Sequence, residues 1–145
     1  MADERLKLGE KTRRRVLGDA HVERSLANAT AFDQPFIDFI TGGVWASVWG
    51  RPNLTPRERS LITIALLAGL GHHEELALHI RATRNTGASE ADVREALLHV
   101  AAYAGAPAGN SAIALARRVY GEMKAAAPEA PKKQAPKKKA KGKKP

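Results

Sequence analysis

The hydrophobic positions of this chain recur at intervals of three and four residues, the spacing that places side chains on one face of an α-helix. The pattern is clearest after Asp33, where the apolar positions are Phe36, Ile37, Phe39, Ile40, Val44, Trp45, Val48 and Trp49. Gly42 and Gly43 fall inside this segment and indicate a possible disturbance of the helix. Residues 60–70 are apolar on nearly every face, so we expect them in the core or at an interface. No stretch of useful length alternates with period two, the sign of a β-strand.

Start and stop signals divide the pattern into five to seven helices. A charged segment at residues 5–17 ends at Gly18. A strong start follows at Thr55, which serves as N-cap, with Pro56 at the first helical position and Glu58 closing a capping box. Further helices are predicted at residues 73–83, 89–103 and 107–124. We therefore predict an all-α fold.

Composition excludes several classes of protein. The chain has 145 residues and no cysteine, so it has no disulfides, thiolate nucleophiles or cysteine-ligated metals. No apolar run approaches the roughly 18 residues of a membrane span, and the N-terminal residues lack the apolar region of a signal peptide. We expect a soluble cytoplasmic protein.

The net charge of +9 is concentrated at the C-terminal end. Residues 125–145 contain eight lysines and one acid, Glu129, which gives +7 and leaves +2 for residues 1–124. This Lys/Ala/Pro-rich segment carries no large apolar residue, so we predict a helical domain over 1–124 and a disordered basic tail over 125–145. The tail lacks arginine and aromatic residues, so contact with nucleic acid is allowed but not favoured over a solvated extension.

Glu75 and His79 carry the most suggestive chemistry in the chain. They are four residues apart and share one face of the predicted helix that begins near residue 73. A carboxylate beside an imidazole is a plausible acid/base pair, because the carboxylate raises the imidazole pKa. The alternative is an ordinary surface pair.

Four stretches in order carry a resemblance to a known family. They are RRVLGDAHV at 14–22, WGRPNL at 49–54, RSL at 59–61, and HEELALHIRAT at 73–83 continuing into NTGA at 85–88. With these motifs the chain resembles the γ-carboxymuconolactone decarboxylases of the protocatechuate branch of the β-ketoadipate pathway, over roughly residues 5–123. The tail departs from the family pattern.

The resemblance implies an alkylhydroperoxidase D-like helical bundle. Redox members of that superfamily carry Cys-x-x-Cys-x-x-x-His. When His79 is aligned with the histidine of that motif, His72 and Glu75 stand at the two cysteine positions, so the thiol chemistry is excluded here. The resemblance also implies a homo-oligomer, with a hexamer as the expected state.

The activity implied by the resemblance is decarboxylation of 4-carboxymuconolactone to 3-oxoadipate enol-lactone. Electrons released with CO₂ pass through the ring alkene into the lactone carbonyl, and the resulting dienolate is protonated at the α-carbon. The substrate supplies its own electron sink, so we expect no cofactor. The protein must bind two carboxylates, donate to the enolate oxygen and deliver a proton.

His79 is the first candidate for general acid or oxyanion donor, with Glu75 orienting it or raising its pKa. Arg51 is the candidate carboxylate clamp, beside Trp49 as a core residue or pocket wall. Arg81 and Arg84 are alternative clamps, although a solvent or subunit contact is the more ordinary role for each.

His21 and His99 are weaker candidates for lining the pocket. A core histidine is the ordinary role of His99, and His21 could reach the site if the N-terminal helix folds over it. We expect no metal site, because His72 and His73 are adjacent and point apart on a helix. Other readings stay open: a related lactone isomerase or hydrolase on the same fold, or a nucleic-acid-associated protein acting through its tail.

Overall fold

A computed structural model describes residues 1–128 as seven α-helices and one π-helical segment. In chain order these are α1 (Ala2–Leu17), α2 (Asp19–Ala27), α3 (Gln34–Phe39), the π segment (Ile40–Trp49), α4 (Pro56–Leu70), α5 (His73–Thr86), α6 (Glu90–Tyr103) and α7 (Ala106–Ala126). No strand occurs within these 128 residues. The all-α prediction, with five to seven helices, is confirmed.

The helix boundaries follow the local signals for most elements. Capping boxes begin α4 at Thr55 and α6 at Ser89. Gly87 ends α5 in the left-handed conformation, at φ 86°. Asp33 stands at the N-cap of α3, but its carboxylate binds Thr30 instead of a helix N–H group. The predictions were too short for α1, α5 and α7.

Two features of the N-terminal region differ from the sequence pattern. Residues 19–27, which were not predicted as helix, form α2 immediately after Gly18, whose φ of 88° separates it from α1. Arg14 holds this corner by contacting Glu10 at 2.9 Å and Glu23 at 2.6 Å. The second difference is the π segment, which contains the Gly42-Gly43 disturbance and replaces the continuous α-helix expected there.

The molecule has two apolar clusters joined by α5. Helices α4, α5, α6 and α7 enclose the larger cluster, whose fully buried members are Ile64, Leu76, Ile80, Leu97, Val93 and Val119. The smaller cluster, on the other side of α5, contains Val16, Leu17, Val22, Trp45, Trp49 and Ala82. Because α5 lies between the two, each of its faces contacts a different part of the fold.

Helix α4 is buried on one side only. Ile64 and Ala68 lie in the larger cluster, whereas Ile62, Leu66 and Leu70 are 49%, 59% and 68% exposed. These three residues are four apart and form one apolar stripe on the surface. The sequence predicted a core or interface helix, and the single chain provides only the core half.

The predicted basic tail lies outside the described residues from position 129 onward. Residues 125 and 126 belong to α7, so the helical domain continues slightly beyond the predicted boundary at 124. Within the described part of the chain, no helix combines the length and apolar character needed to cross a bilayer.

Candidate active site

The imidazole of His79 packs against two tryptophan rings in the smaller apolar cluster. Its ring centre lies 5.9 Å from that of Trp49 and 6.4 Å from that of Trp45, and the planes differ by only 20° and 15°. The two indoles are themselves 5.4 Å apart. His79 is 9% exposed, and its Nδ1 atom has no hydrogen-bond partner among the described residues.

The π segment and α5 bring these three rings together. A π-helix closes its hydrogen bonds from residue i to i+5, so Trp45 and Trp49, four apart, lie close to one turn apart on the same face. Asn85, near the end of α5, donates to the carbonyl of Val16 at 3.0 Å and fixes α5 against α1. His79 therefore faces the N-terminal half of the fold.

Burial keeps the His79 imidazole neutral. Loss of hydration, with a smaller contribution from the charge of nearby His21, lowers its pKa to about 4, while Glu75 acts in the opposite direction. Glu75 raises this pKa, the direction expected from the sequence, but desolvation exceeds the attraction of one exposed carboxylate, so the net shift is downward. At neutral pH His79 has one N–H donor and one acceptor nitrogen.

Glu75 lies one turn before His79, as predicted, but its side chain is exposed and makes no hydrogen bond to the imidazole. The two groups interact through charge alone. Glu74 is also exposed, so the helix presents two carboxylates to solvent in its first turn. An orienting role for Glu75 stays a prediction.

Arg51 lies at the exit of the π segment, two residues after Trp49. Its backbone carbonyl accepts a hydrogen bond from Arg59 at 2.9 Å, so the RSL motif holds the turn that carries it. The Arg51 guanidinium is exposed and has no ion pair among the residues the structure describes. It is free to bind a carboxylate.

The alternative clamps are directed elsewhere. Arg81 donates to Glu122 on α7 at 2.7 Å, so it lies on the face of α5 away from the tryptophans. Arg84 is exposed. The single chain does not bring either arginine to His79.

The two other candidate histidines lie in different places. His21, at the start of α2, is half-buried and close enough to His79 for their charges to interact, as the N-terminal fold-over hypothesis required. His99 lies on the outer face of α6 and stacks on Tyr103 at 6.1 Å. It is exposed, so the expectation of a core histidine is wrong, because α6 turns this residue toward solvent.

No three His, Asp or Glu side chains converge on a metal-sized space within residues 1–128. The absence of a metal requirement stays a prediction, to be tested by chelation.

Sequence reasoning missed Arg13. This arginine is 7% exposed, and it lies on the buried face of α1 with Gly9, Val16 and Leu17. Its spacing of three and four from Val16 and Leu17 was the available signal, because that spacing places a charged residue on the apolar face of its helix.

Comparison with known proteins identifies the family of this chain. Residues 34–118 match the model of the carboxymuconolactone decarboxylase family. The chain is 43% identical over 121 residues to a 4-carboxymuconolactone decarboxylase from Acinetobacter baylyi, covering 83% of this chain and 90% of the relative. It is 41% identical over 115 residues to the nitrosuccinic acid decarboxylase npaB from Metarhizium robertsii, covering 79% of this chain and 80% of that protein. The matched segment contains the π segment, both tryptophans and His79, and the chain belongs to the carboxymuconolactone decarboxylase family.

Proposed function

We propose that this protein decarboxylates 4-carboxymuconolactone to 3-oxoadipate enol-lactone and CO₂ without a cofactor. The observation that carries the proposal is His79, a buried neutral imidazole against two tryptophans in a member of this family. The A. baylyi relative, which is named for this reaction, supports the choice of substrate. The reaction belongs to the protocatechuate branch of the β-ketoadipate pathway, and a cytoplasmic location belongs to the same proposal.

The neutral state of His79 favours one of its two predicted roles. When the bond to the departing CO₂ breaks, its electron pair moves through the ring alkene and places negative charge on the lactone oxygen. A neutral imidazole N–H that donates to this oxygen stabilises the charge without giving up a proton. In the free protein an imidazolium acid would be scarce at neutral pH, because the His79 pKa is about 4.

Substrate binding supplies a route to the proton that the α-carbon needs. The lactone carries two carboxylates, and their negative charge beside His79 raises the imidazole pKa in the complex. Glu75 adds a third negative charge one turn away and acts in the same direction. His79 can then take a proton from solvent and deliver it to the dienolate, either directly or through water.

The tryptophans and Arg51 complete the proposed site. Trp45 and Trp49 provide an apolar wall that limits hydration around His79, which strengthens its hydrogen bonds. Arg51, which is unpaired within residues 1–128 and two residues after Trp49, is the proposed group that attracts a carboxylate with its guanidinium fork. Since Arg51 is exposed, a pocket around a polar lactone needs an additional wall on its solvent side.

A second copy of the chain is the proposed source of that wall, in a homo-oligomer that the family resemblance suggests is a hexamer. The apolar stripe Ile62–Leu66–Leu70 supports association, as do Phe36 and Phe39, which are 62% and 68% exposed on α3. Exposed apolar faces of this kind are typical of interfaces. Closed symmetry would cover them without leaving a patch for further addition.

Nitrosuccinic acid is the second candidate substrate, because the npaB relative is 41% identical and is named for its decarboxylation. Like the lactone, nitrosuccinic acid carries two carboxylic groups.

The deciding experiment gives the purified, chelator-treated protein each substrate in turn and measures released CO₂, with lactone absorbance as a second readout. We expect a larger kcat/KM for the lactone. A larger value for nitrosuccinic acid would reassign the substrate, and lactone consumption without CO₂ would indicate an isomerase or hydrolase.

A further inference from the structure

Arg13 is a buried cation without a carboxylate partner. The residue is 7% exposed, and its guanidinium donates to the hydroxyl of Ser25 at 2.9 Å, while its Nε atom has no acceptor among the described residues. No carboxylate lies within ion-pair distance of it among residues 1–128. Removing a charge from water costs several kcal/mol unless an opposite charge compensates for it, so an uncompensated arginine in this position lacks a structural reason.

A cavity of about 210 Å³ adjoins this guanidinium between α1, α2 and α3. Its walls are partly apolar, with Leu6, Val22, Leu26 and Ile37 beside Arg13. Ligand pockets usually have volumes of about 300–1,000 Å³, so this space suits a short arm of a ligand more than a whole molecule.

Two acids also line the cavity, but each is already engaged. Glu10 accepts hydrogen bonds from Arg14 at 2.9 and 3.0 Å, and Asp38 accepts one from the amide of Gln34 at 2.8 Å. Glu10 therefore offsets the charge of Arg13 only from a distance. Burial and the neighbouring Arg14 lower the Arg13 pKa more than Glu10 raises it.

The cavity and the apolar cluster of Trp45 and Trp49 share one wall residue near the start of α2. Val22 lines the cavity and belongs to the same apolar cluster as Trp45 and Trp49. Its neighbour His21 is close enough to both Arg13 and His79 for electrostatic interaction with each. The cavity is therefore adjacent to the cluster that holds the tryptophans.

We propose that Arg13 binds the carboxylate that the substrate retains, with the carboxylate arm entering the cavity between α1, α2 and α3. The assignment rests on the proposed function, since it identifies the group that anchors its substrate. The retained carboxylate is the appropriate one for a buried cation, because it keeps its charge throughout the reaction, whereas a strong contact with the departing group would stabilise the charge that decarboxylation must remove. The exposed Arg51 is screened by solvent, so it would attract the departing carboxylate without holding it strongly. The free Nε–H and the buried surroundings favour a strong charge-assisted contact.

Arg13→Met tests the proposal, with Arg15→Met as the matched control. Arg15 is an exposed residue on the same helix without an ion pair in the described chain, so its replacement removes the same charge from the solvent side. The probe is adipate, a six-carbon dicarboxylate that cannot react. We expect adipate to raise the Tm of the wild-type protein and of Arg15→Met in a concentration-dependent way, and to leave the Tm of Arg13→Met unchanged.

The unliganded proteins separate binding from structure. Because Arg13→Met removes an uncompensated buried charge, its Tm without adipate should equal or exceed that of the wild type, whereas a structural role predicts a clear fall. If Arg13→Met does not fold, Arg13→Lys takes its place: it keeps the charge, loses the fork and should show a weaker adipate response. An undiminished adipate response in either variant, or no response in the wild type, overturns the proposal.

Steady-state kinetics with the lactone distinguish this proposal from the function on which it rests. Arg13→Met should raise KM by roughly 10- to 100-fold with a much smaller effect on kcat. This is the result expected when the lost contact is equally strong in the bound substrate and in the transition state. An unchanged KM alongside wild-type lactone turnover would reject Arg13 and leave the function standing. An Arg13-dependent adipate response without turnover of either substrate would reject the function and leave the carboxylate site standing.

Discussion

At the scale of single residues, the sequence made His79 the first candidate but did not show its surroundings. The spacing of Glu75 and His79 predicted that both share one helical face, and the resemblance suggested the histidine as general acid or oxyanion donor. Neither signal showed that two indole rings would bury the imidazole and lower its pKa to about 4, because that depends on a π-helical turn meeting α5. Arg13 was missed although its spacing from Val16 and Leu17 placed it on the apolar face of α1, since the depth of its burial is decided by tertiary contacts.

The imidazole pKa of His79 can be measured directly by NMR titration of its ring. We expect a midpoint near 4, well below the usual 6.5, because burial penalises the charged form. Glu75→Gln should lower the midpoint further, since it removes a negative charge that favours the imidazolium. Glu74→Gln, on the adjacent exposed carboxylate, is the control. A midpoint near 6.5 would contradict the burial argument, and no effect of Glu75→Gln would leave Glu75 as a surface residue.

The lowered pKa also makes folding stability depend on pH. Between pH 6.5 and pH 4 the unfolded chain takes up a proton on His79 that the folded chain refuses, so the free energy of unfolding falls as the pH falls through this window. From pH 7 to pH 4.5 the loss due to His79 should be about 2–3 kcal/mol, at 1.36 kcal/mol per pKa unit.

Urea unfolding of the wild type and of His79→Gln, each at about pH 7 and about pH 4.5, isolates the contribution of His79 to the free energy of unfolding. His21, whose pKa is also lowered by burial, is present in both proteins and largely cancels in the comparison. The variant should lose less stability on acidification than the wild type. An equal loss in the two proteins would mean that His79 is protonated as easily when folded as when unfolded.

At the scale of elements, helix ends were easier to predict than helix type. Thr55 with Glu58, and Ser89 with Asp92, are local capping signals, and the structure contains both capping boxes. The π segment was visible in the sequence only as a Gly42-Gly43 disturbance, because its extra residue per turn is stabilised by packing against α1. Helix α2 lacks a side-chain cap, so it gave no start signal.

Gly9→Ala tests the contact that positions the π segment. A Cβ atom on Gly9 would collide with the backbone carbonyl of Thr41, which has little freedom to move inside a helical segment. We expect the variant to lose about 1–3 kcal/mol of stability, the usual cost of overpacking, and to lose activity through displacement of the tryptophans. Gly43→Ala is the control, since its Cβ would meet only the ring of Phe39, at an ordinary distance of 3.8 Å. Equal stability of the two variants would show that α1 does not set the position of the π segment.

At the scale of the whole molecule, the apolar surface left by one chain is the feature that the sequence anticipated best. Residues 60–70 were apolar on nearly every face, and half of that helix remains exposed. The periodicity of the sequence could not show which face of α4 is exposed, because the buried face is determined by packing against α5, α6 and α7. The basic tail belongs to this scale as well, since it carries most of the net charge.

Light scattering on a chain ending at Pro128 tests the proposed assembly without the tail, and this end point leaves α7 intact. We expect a homo-oligomer, with the hexamer as the specific state. Leu66→Glu should weaken it, because a charge in the middle of the α4 stripe would be buried on association. A monomer at working concentrations would refute the proposal.

The same truncated chain should retain full decarboxylase activity, whereas a loss of activity would indicate a role of the tail in the reaction.

The most direct test of the central claim is lactone decarboxylation by the wild type, His79→Gln and His73→Gln after exhaustive chelation. Glutamine is chosen because His79 is buried, and alanine would leave a cavity beside the tryptophans. His73 is exposed on the first turn of the same helix and serves as the control. We predict wild-type turnover without metal or cofactor, unchanged turnover in His73→Gln, and a fall in kcat of roughly 10²–10⁴-fold in His79→Gln. The central claim would be contradicted if the wild type failed to consume the lactone, or if His79→Gln kept a near-native kcat.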